Sequence, residues 1–133
     1  AVLMPIVASL GGNAGTQALT VAVRGLATRE LTGANAFRIV RREIASALLI
    51  GGMLALALGG ATTLVFRDPA LGAVIGLAVV LTLLIAALAG SLVPLALDRL
   101  GRDPAVSSSV FVTTLTDLFG FLTFLGLATL VLL

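Results

Sequence analysis

The chain has 133 residues, 59% of them hydrophobic and 11% charged, with a net charge of +2. It has no cysteine, histidine, tyrosine or tryptophan. That inventory removes thiol and imidazole catalysis, zinc sites and histidine-ligated haem. Without an aromatic stacking platform it offers no nucleic-acid surface either.

The charges cluster. Arg24, Arg29, Glu30, Arg38, Arg41, Arg42 and Glu43 form one group, Arg67 and Asp68 a second, and Asp98, Arg99, Arg102 and Asp103 a third, while Asp117 stands alone. These groups separate four apolar blocks. Long apolar runs bounded by charge read as membrane spans, so the expected fold is all-α: one polytopic transmembrane helix bundle in a lipid bilayer, over residues 1–133.

The first block covers about 2–26. It carries Pro5 and then the polar positions Ser9, Asn13, Thr16, Gln17 and Thr20. Such a helix spans only if those groups face other helices or water. It has no basic leader and is interrupted by "GGNAGTQ", so it does not read as a signal peptide. The chain opens at Ala1 within an apolar run, which reads as a fragment with further segments upstream.

Residues about 35–44 follow, with Asn35 as an expected N-cap. Phe37, Val40 and Ile44 fall on one side, and Arg38, Arg41 and Arg42 mostly off it. This is either a short interfacial amphipathic helix or the basic start of the next span. The second span, about 45–66, carries Gly51, Ala55 and Gly59 at spacings of four, which permits close helix approach. The third, about 71–96, carries Gly72 and Gly76, and Pro94 is expected to kink or end it. The last runs over about 105–133. Asp68-Pro69 and Asp103-Pro104 read as helix starts, the aspartate capping and the proline in the first turn.

Arginine counts set the orientation. Five lie between the first two spans, one between the next two and two between the last two, which puts the first and third connections in the cytoplasm and both chain ends outside the cell membrane.

Asp117 lies near the middle of the last span, where a carboxylate costs about 2.5–3.5 kcal/mol on the mildest scale. No lysine or arginine within a span pairs with it. Ser109, Thr113 and Asp117 are spaced by four, with Thr116 and Gly120 beside them. Gly12, Thr16 and Thr20 repeat that spacing in the first span, with Ser9, Asn13 and Gln17 adjacent. Taken singly, the hydroxyls read as interhelical hydrogen bonders. Taken together, two oxygen-bearing stripes suit a hard cation. Mg²⁺ dehydrates reluctantly, so one carboxylate from each of two subunits, with water filling the shell, points to a homodimer with the pathway near its axis.

From the residues alone the reading reaches a cation pathway without naming the ion. Two others stay open: a transporter using Asp117 to couple protons or sodium, and a non-transporting assembly module glued by polar groups. No base stands near a nucleophile, and "GGNAG" lacks the lysine of a phosphate-binding loop, so neither an enzyme nor a nucleotide-driven pump is expected.

"GGNAGTQ", "RGLATREL", "GSLVPLAL" and "DPAVSSSVFVTTLTDLFG", in that order, resemble the transmembrane domain of the MgtE family of magnesium channels and transporters. The resemblance implies a homodimer whose subunits have five spans, the four blocks here matching the second to fifth. It implies a Mg²⁺ pore between the first and last blocks, with a metal site centred on Asp117 and lined by Gly12, Thr16, Thr20 and Ser109. Further pore-lining candidates are Ser9, Asn13, Gln17, Thr113 and Thr116. This chain has Ser109-Val110 where the family usually has Gly-Pro or Asn-Pro, so the early turns of the last span should be straighter. The position of Thr16 is asparagine in some relatives. The family's cytoplasmic sensor domains are not in this sequence, so regulation through them is not carried over.

Overall fold

The computed structural model describes residues 2–32 and 34–133, and at position 107 the backbone alone. Ala1 and Gly33 lie outside the described residues. Four helices follow in chain order: α1 (Met4–Ala27), α2 (Ala36–Phe66), α3 (Pro69–Arg99) and α4 (Pro104–Leu132). Among the described residues three helices are long and apolar enough to cross a membrane, within Ala36–Phe66, Pro69–Arg99 and Ser108–Leu132. α1 is long enough but too polar along one side to meet the same standard.

The charged groups mark the helix ends by a local mechanism. Asp68 accepts hydrogen bonds from the amides of Ala70 (3.0 Å) and Leu71 (3.2 Å), and Asp103 accepts one from Ala105 (3.0 Å). Each satisfies donors left open at a helix start, and a proline takes the first turn. Between α2 and α3 only Arg67 and Asp68 intervene, with Arg67 in the left-handed region at φ 54°.

Two readings narrow and one changes. Of the two readings of 35–44, the structure matches the second: residues from Ala36 are the opening turns of α2, with no separate helix before them. Nothing between Ala36 and Ile50 breaks a helix, so the arginines mark a surface without ending the backbone's hydrogen bonding. Asn35 holds the N-cap position, but its side chain does not cap. It turns back, accepting from the amide of Thr32 (2.7 Å) and donating to the carbonyl of Glu30 (2.5 Å). Pro94 does not end α3, which continues to Arg99 with the proline buried inside it. Proline removes one hydrogen bond, and a membrane helix packed on its neighbours tolerates that loss.

α3 is the centre of the bundle and packs against α1, α2 and α4. Small side chains let it do so. Gly72 and Gly76 meet Gly59 and Ala55 of the antiparallel α2: a methyl group on Gly59 would lie 2.8 Å from the Gly72 carbonyl oxygen. Towards α1, a methyl on Gly90 of α3 would lie 2.7 Å from the carbonyl oxygen of Gly15. Lipid tails are as apolar as leucine, so close packing rather than water exclusion holds such helices together. The core joins Val7 of α1, Val74, Ile75 and Val79 of α3, and Phe124 of α4. Large apolar side chains such as Leu49, Leu56 and Leu64 of α2 point outward, as a lipid-facing helix requires and a water-facing one does not.

Candidate functional site

α1 and α4 meet along an antiparallel seam made by small residues. A methyl on Gly15 would come 2.9 Å from Val112 Cγ1 and 3.1 Å from Thr116 Cγ2. One on Gly11 would lie 3.7 Å from Thr116 Cβ, and one on Gly120 would lie 3.7 Å from Ala8 Cα. One side of this seam is closed by α3. Thr82, fully buried, would touch a methyl on either Gly11 (2.6 Å) or Gly120 (3.6 Å), and its hydroxyl lies 3.4 Å from that of Thr123.

The polar residues lie on the other side. Each residue turns a helix by about 100°. Gly12 and Thr16 follow the contact residues Gly11 and Gly15 by one position, and Asp117 and Thr113 follow Thr116 and Val112 likewise. The two helices are antiparallel, so this single step carries both sets to the same side of the seam, away from α3. Thr16, Thr20, Ser109, Thr113 and Asp117 are all exposed there, with Gly12 half-buried at the edge. Nothing lies within 4 Å of a methyl placed on Gly12. Asp117 sits within one residue of the middle of α4.

The hydroxyls on this face have a fixed polarity. Thr16 donates to the Gly12 carbonyl (2.9 Å), Thr20 to the Thr16 carbonyl (2.8 Å) and Thr113 to the Ser109 carbonyl (2.8 Å). Each proton is engaged with its own helix, leaving oxygen lone pairs outward. Asp117 when ionised also only accepts. These three hydroxyls and the carboxylate are therefore acceptors, suited to a cation or to the water of a cation's hydration shell.

The remaining candidates divide. Ser9 and Asn13 are exposed on α1, and Asn13 lies one turn before Gln17. Thr116 is buried in the seam itself, its hydroxyl donating to the Thr113 carbonyl (3.0 Å). Gln17 faces a cleft between α1 and α2 that also holds Glu43 and Ser46. Among the described residues no group of three or more carboxylate, histidine or cysteine side chains could hold a metal ion, so any bound cation relies on Asp117, neutral oxygens and water. Sequence reading missed Gly11 and Gly15, which set the seam. Their Gly-x-x-x-Gly spacing inside "GGNAG" was the available signal.

Antiparallel helices, three of them apolar enough to span, and one polar outer face define a multi-pass helical membrane protein. The chain belongs to the MgtE family, described as a divalent cation transporter, whose model matches residues 4–127. That is a family of transporters, not enzymes. It is 39% identical over 128 residues to the magnesium transporter MgtE of Enterococcus faecalis, covering 96% of this chain and 28% of that protein. It is 33% identical over 129 residues to that of Bacillus subtilis, covering 97% and 29%. It is 39% identical over 131 residues to that of Thermus thermophilus, covering 97% and 28%. The chain thus spans less than a third of the length of these relatives.

Proposed function

We propose that this chain forms a passive, gradient-driven pathway for Mg²⁺ between two copies of itself. α1 acts as a fourth span, and α1 and α4 of each subunit line the pathway. The observation that carries this reading is the polar outer face: five oxygen-bearing residues, one of them a mid-span carboxylate, point away from the helices of their own bundle. Lipid cannot receive such a face without a large penalty. A water-filled path on a two-fold axis can, and the axis would bring two copies of Asp117 to face one another.

The chemistry favours a hydrated divalent cation. Mg²⁺ gives up its water reluctantly, and coordinated water donates hydrogen bonds. Outward lone pairs on Thr16, Thr20 and Thr113 accept them, while Asp117 supplies charge. A divalent ion about 5 Å from one carboxylate gains about 2–7 kcal/mol for effective dielectric constants between about 80 and 20. Gly12 and Ser109 complete the proposed lining. The relatives' names, each a magnesium transporter, support Mg²⁺ as cargo. The α1–α2 and α3–α4 connections face the cytoplasm, and both ends of the chain face outward, by the arginine bias.

The test is Mg²⁺ uptake into liposomes, comparing wild type with Asp117→Asn and Asp117→Ala. Both substitutions should cut uptake about tenfold or more, because each tenfold corresponds to only about 1.4 kcal/mol, with helix content and dimerisation unchanged. Wild-type uptake that survives both substitutions would reduce Asp117 to a structural residue. Uptake that tracks pH or Na⁺ would instead make it a coupling site.

A further inference from the structure

α2 and α3 are tightly packed where their glycines meet but part at the other end. There, beside the start of α2 and the end of α3, a groove of about 540 Å³ opens between the helices. Its walls are apolar side chains, Phe37 and Val40 of α2 and Leu92, Leu95 and Ala96 of α3, and its one charged lining residue is Arg99. Arg41 follows Phe37 by one helical turn, so it flanks the same groove. Helical side chains lean towards the N-terminus, which directs the Arg41 guanidinium back to the level of Phe37. The neighbouring acids do not neutralise the site. Glu43 lines the separate cleft towards α1, and Asp98 precedes Arg99, turned about 100° away from it.

We propose that this groove is a binding site for an anionic phospholipid. The acyl chains lie along Phe37, Leu92 and Leu95, and the phosphate sits between Arg41 and Arg99. The occupant follows from two matched features: a slot of apolar wall running along two membrane helices, and the Arg99 guanidinium in its lining, with Arg41 set beside it by helical spacing, arginine being the side chain best shaped to grip a phosphate. Basic pockets between spans are where anionic head groups bind. A zwitterionic lipid fills the slot equally well but brings its own cation to the arginines. This site lies between α2 and α3 and does not depend on the Mg²⁺ pathway at α1 and α4.

Native mass spectrometry of the purified protein, titrated with dioleoylphosphatidylglycerol or dioleoylphosphatidylcholine, tests it. The protein should retain the anionic lipid in preference. Arg41→Gln and Arg99→Gln should each lower the retained fraction about fivefold, the effect of about one charge contact at a membrane surface. Arg42→Gln, turned about 100° beyond Arg41, and Arg67→Gln, at the far end of α2, should change it less than twofold, and Arg99→Lys should keep most of it. Ala96→Phe, which fills the slot, should expel the lipid with every arginine present, and circular dichroism should show helix content retained. Glycerol 3-phosphate, which has the anion without the tails, should not compete. Equal retention of both lipids would overturn the proposal. So would equal losses from all four arginine-to-glutamine variants, which would mean diffuse surface attraction, or full competition by glycerol 3-phosphate, which would mean a plain anion site.

Discussion

Gly11, Gly12 and Gly15 sit within one turn of each other and do different work. A methyl on Gly15 would press on Val112 and Thr116, both stiff β-branched side chains. Gly15→Ala should therefore destabilise the bundle by about 1–3 kcal/mol, the usual effect of overpacking, read as a lower thermal midpoint in detergent. Gly12→Ala meets open space and removes a flexible residue from a helix, so it should be neutral or stabilising by up to about 1 kcal/mol. The same substitution should reduce Mg²⁺ uptake, because it narrows the proposed pathway. Loss of stability in Gly12→Ala would place Gly12 in packing, and unchanged uptake would take it out of the pathway. Polarity made Thr16, Thr113 and Asp117 legible in the sequence, since lipid penalises such groups at mid-span. Glycine carries no such mark, and only packing distinguishes one that admits a neighbouring helix from one that borders open space.

Ser108 makes the opposite case. It is fully buried in α4, and its hydroxyl has no hydrogen-bond partner among the described residues. An unsatisfied buried hydroxyl costs about 1–3 kcal/mol. Ser108→Ala should therefore raise the thermal midpoint or leave it unchanged. A clear fall would mean that the hydroxyl has a partner outside the bundle as described, such as bound water.

For the helices as units, the α2–α3 contact is set by backbone approach. A methyl on Gly72 would lie 2.6 Å from the Gly59 carbonyl oxygen and overlap the Thr63 side chain, whereas one on Gly60 meets nothing within 4 Å. Backbone cannot rotate aside as a side chain can. Gly72→Ala should thus force the helices apart and lower stability by at least about 1–3 kcal/mol, with Gly60→Ala at or above wild type. The same midpoint measurement separates them, and equal behaviour of the two variants would refute close backbone packing as the source of the contact. The four blocks themselves were readable because charge is expelled from the membrane core. Their ends were less so. Hydropathy reports the solvent around a residue, while helix ends depend on backbone hydrogen bonds. Arg38, Arg41 and Arg42 stay helical because no breaker stands among them, and α3 runs through Pro94 for want of any neighbouring turn signal. Where sequence held a backbone mechanism, at Asp68-Pro69 and Asp103-Pro104, the ends were found within about two residues.

For the whole molecule, the decisive feature is that one chain leaves its most polar surface unpartnered. The face carrying Thr16, Ser109, Thr113 and Asp117 lies opposite α3, so no rearrangement of side chains within the bundle covers it. In a bilayer the alternatives are lipid, water, another copy of the chain or a segment outside this sequence, and lipid is the most costly. A two-fold pairing places α1 and α4 of one subunit across from those of its partner and leaves the apolar outer side of α2 to the lipid. The chain contains no cysteine, so single cysteines report this directly. Thr113→Cys, on the proposed pathway, should be joined into a covalent dimer by a short bis-maleimide in native membranes. Leu64→Cys, 80% exposed on the outer side of α2, should remain monomeric under the same treatment. Saturating Mg²⁺ should slow the reaction at Thr113→Cys alone, because a hydrated ion beside Asp117 blocks the reagent one turn away. Equal cross-linking at both positions would mean random collision. A Thr113→Cys protein that reacts with a single maleimide yet never dimerises would mean that this face opens to water without a second subunit.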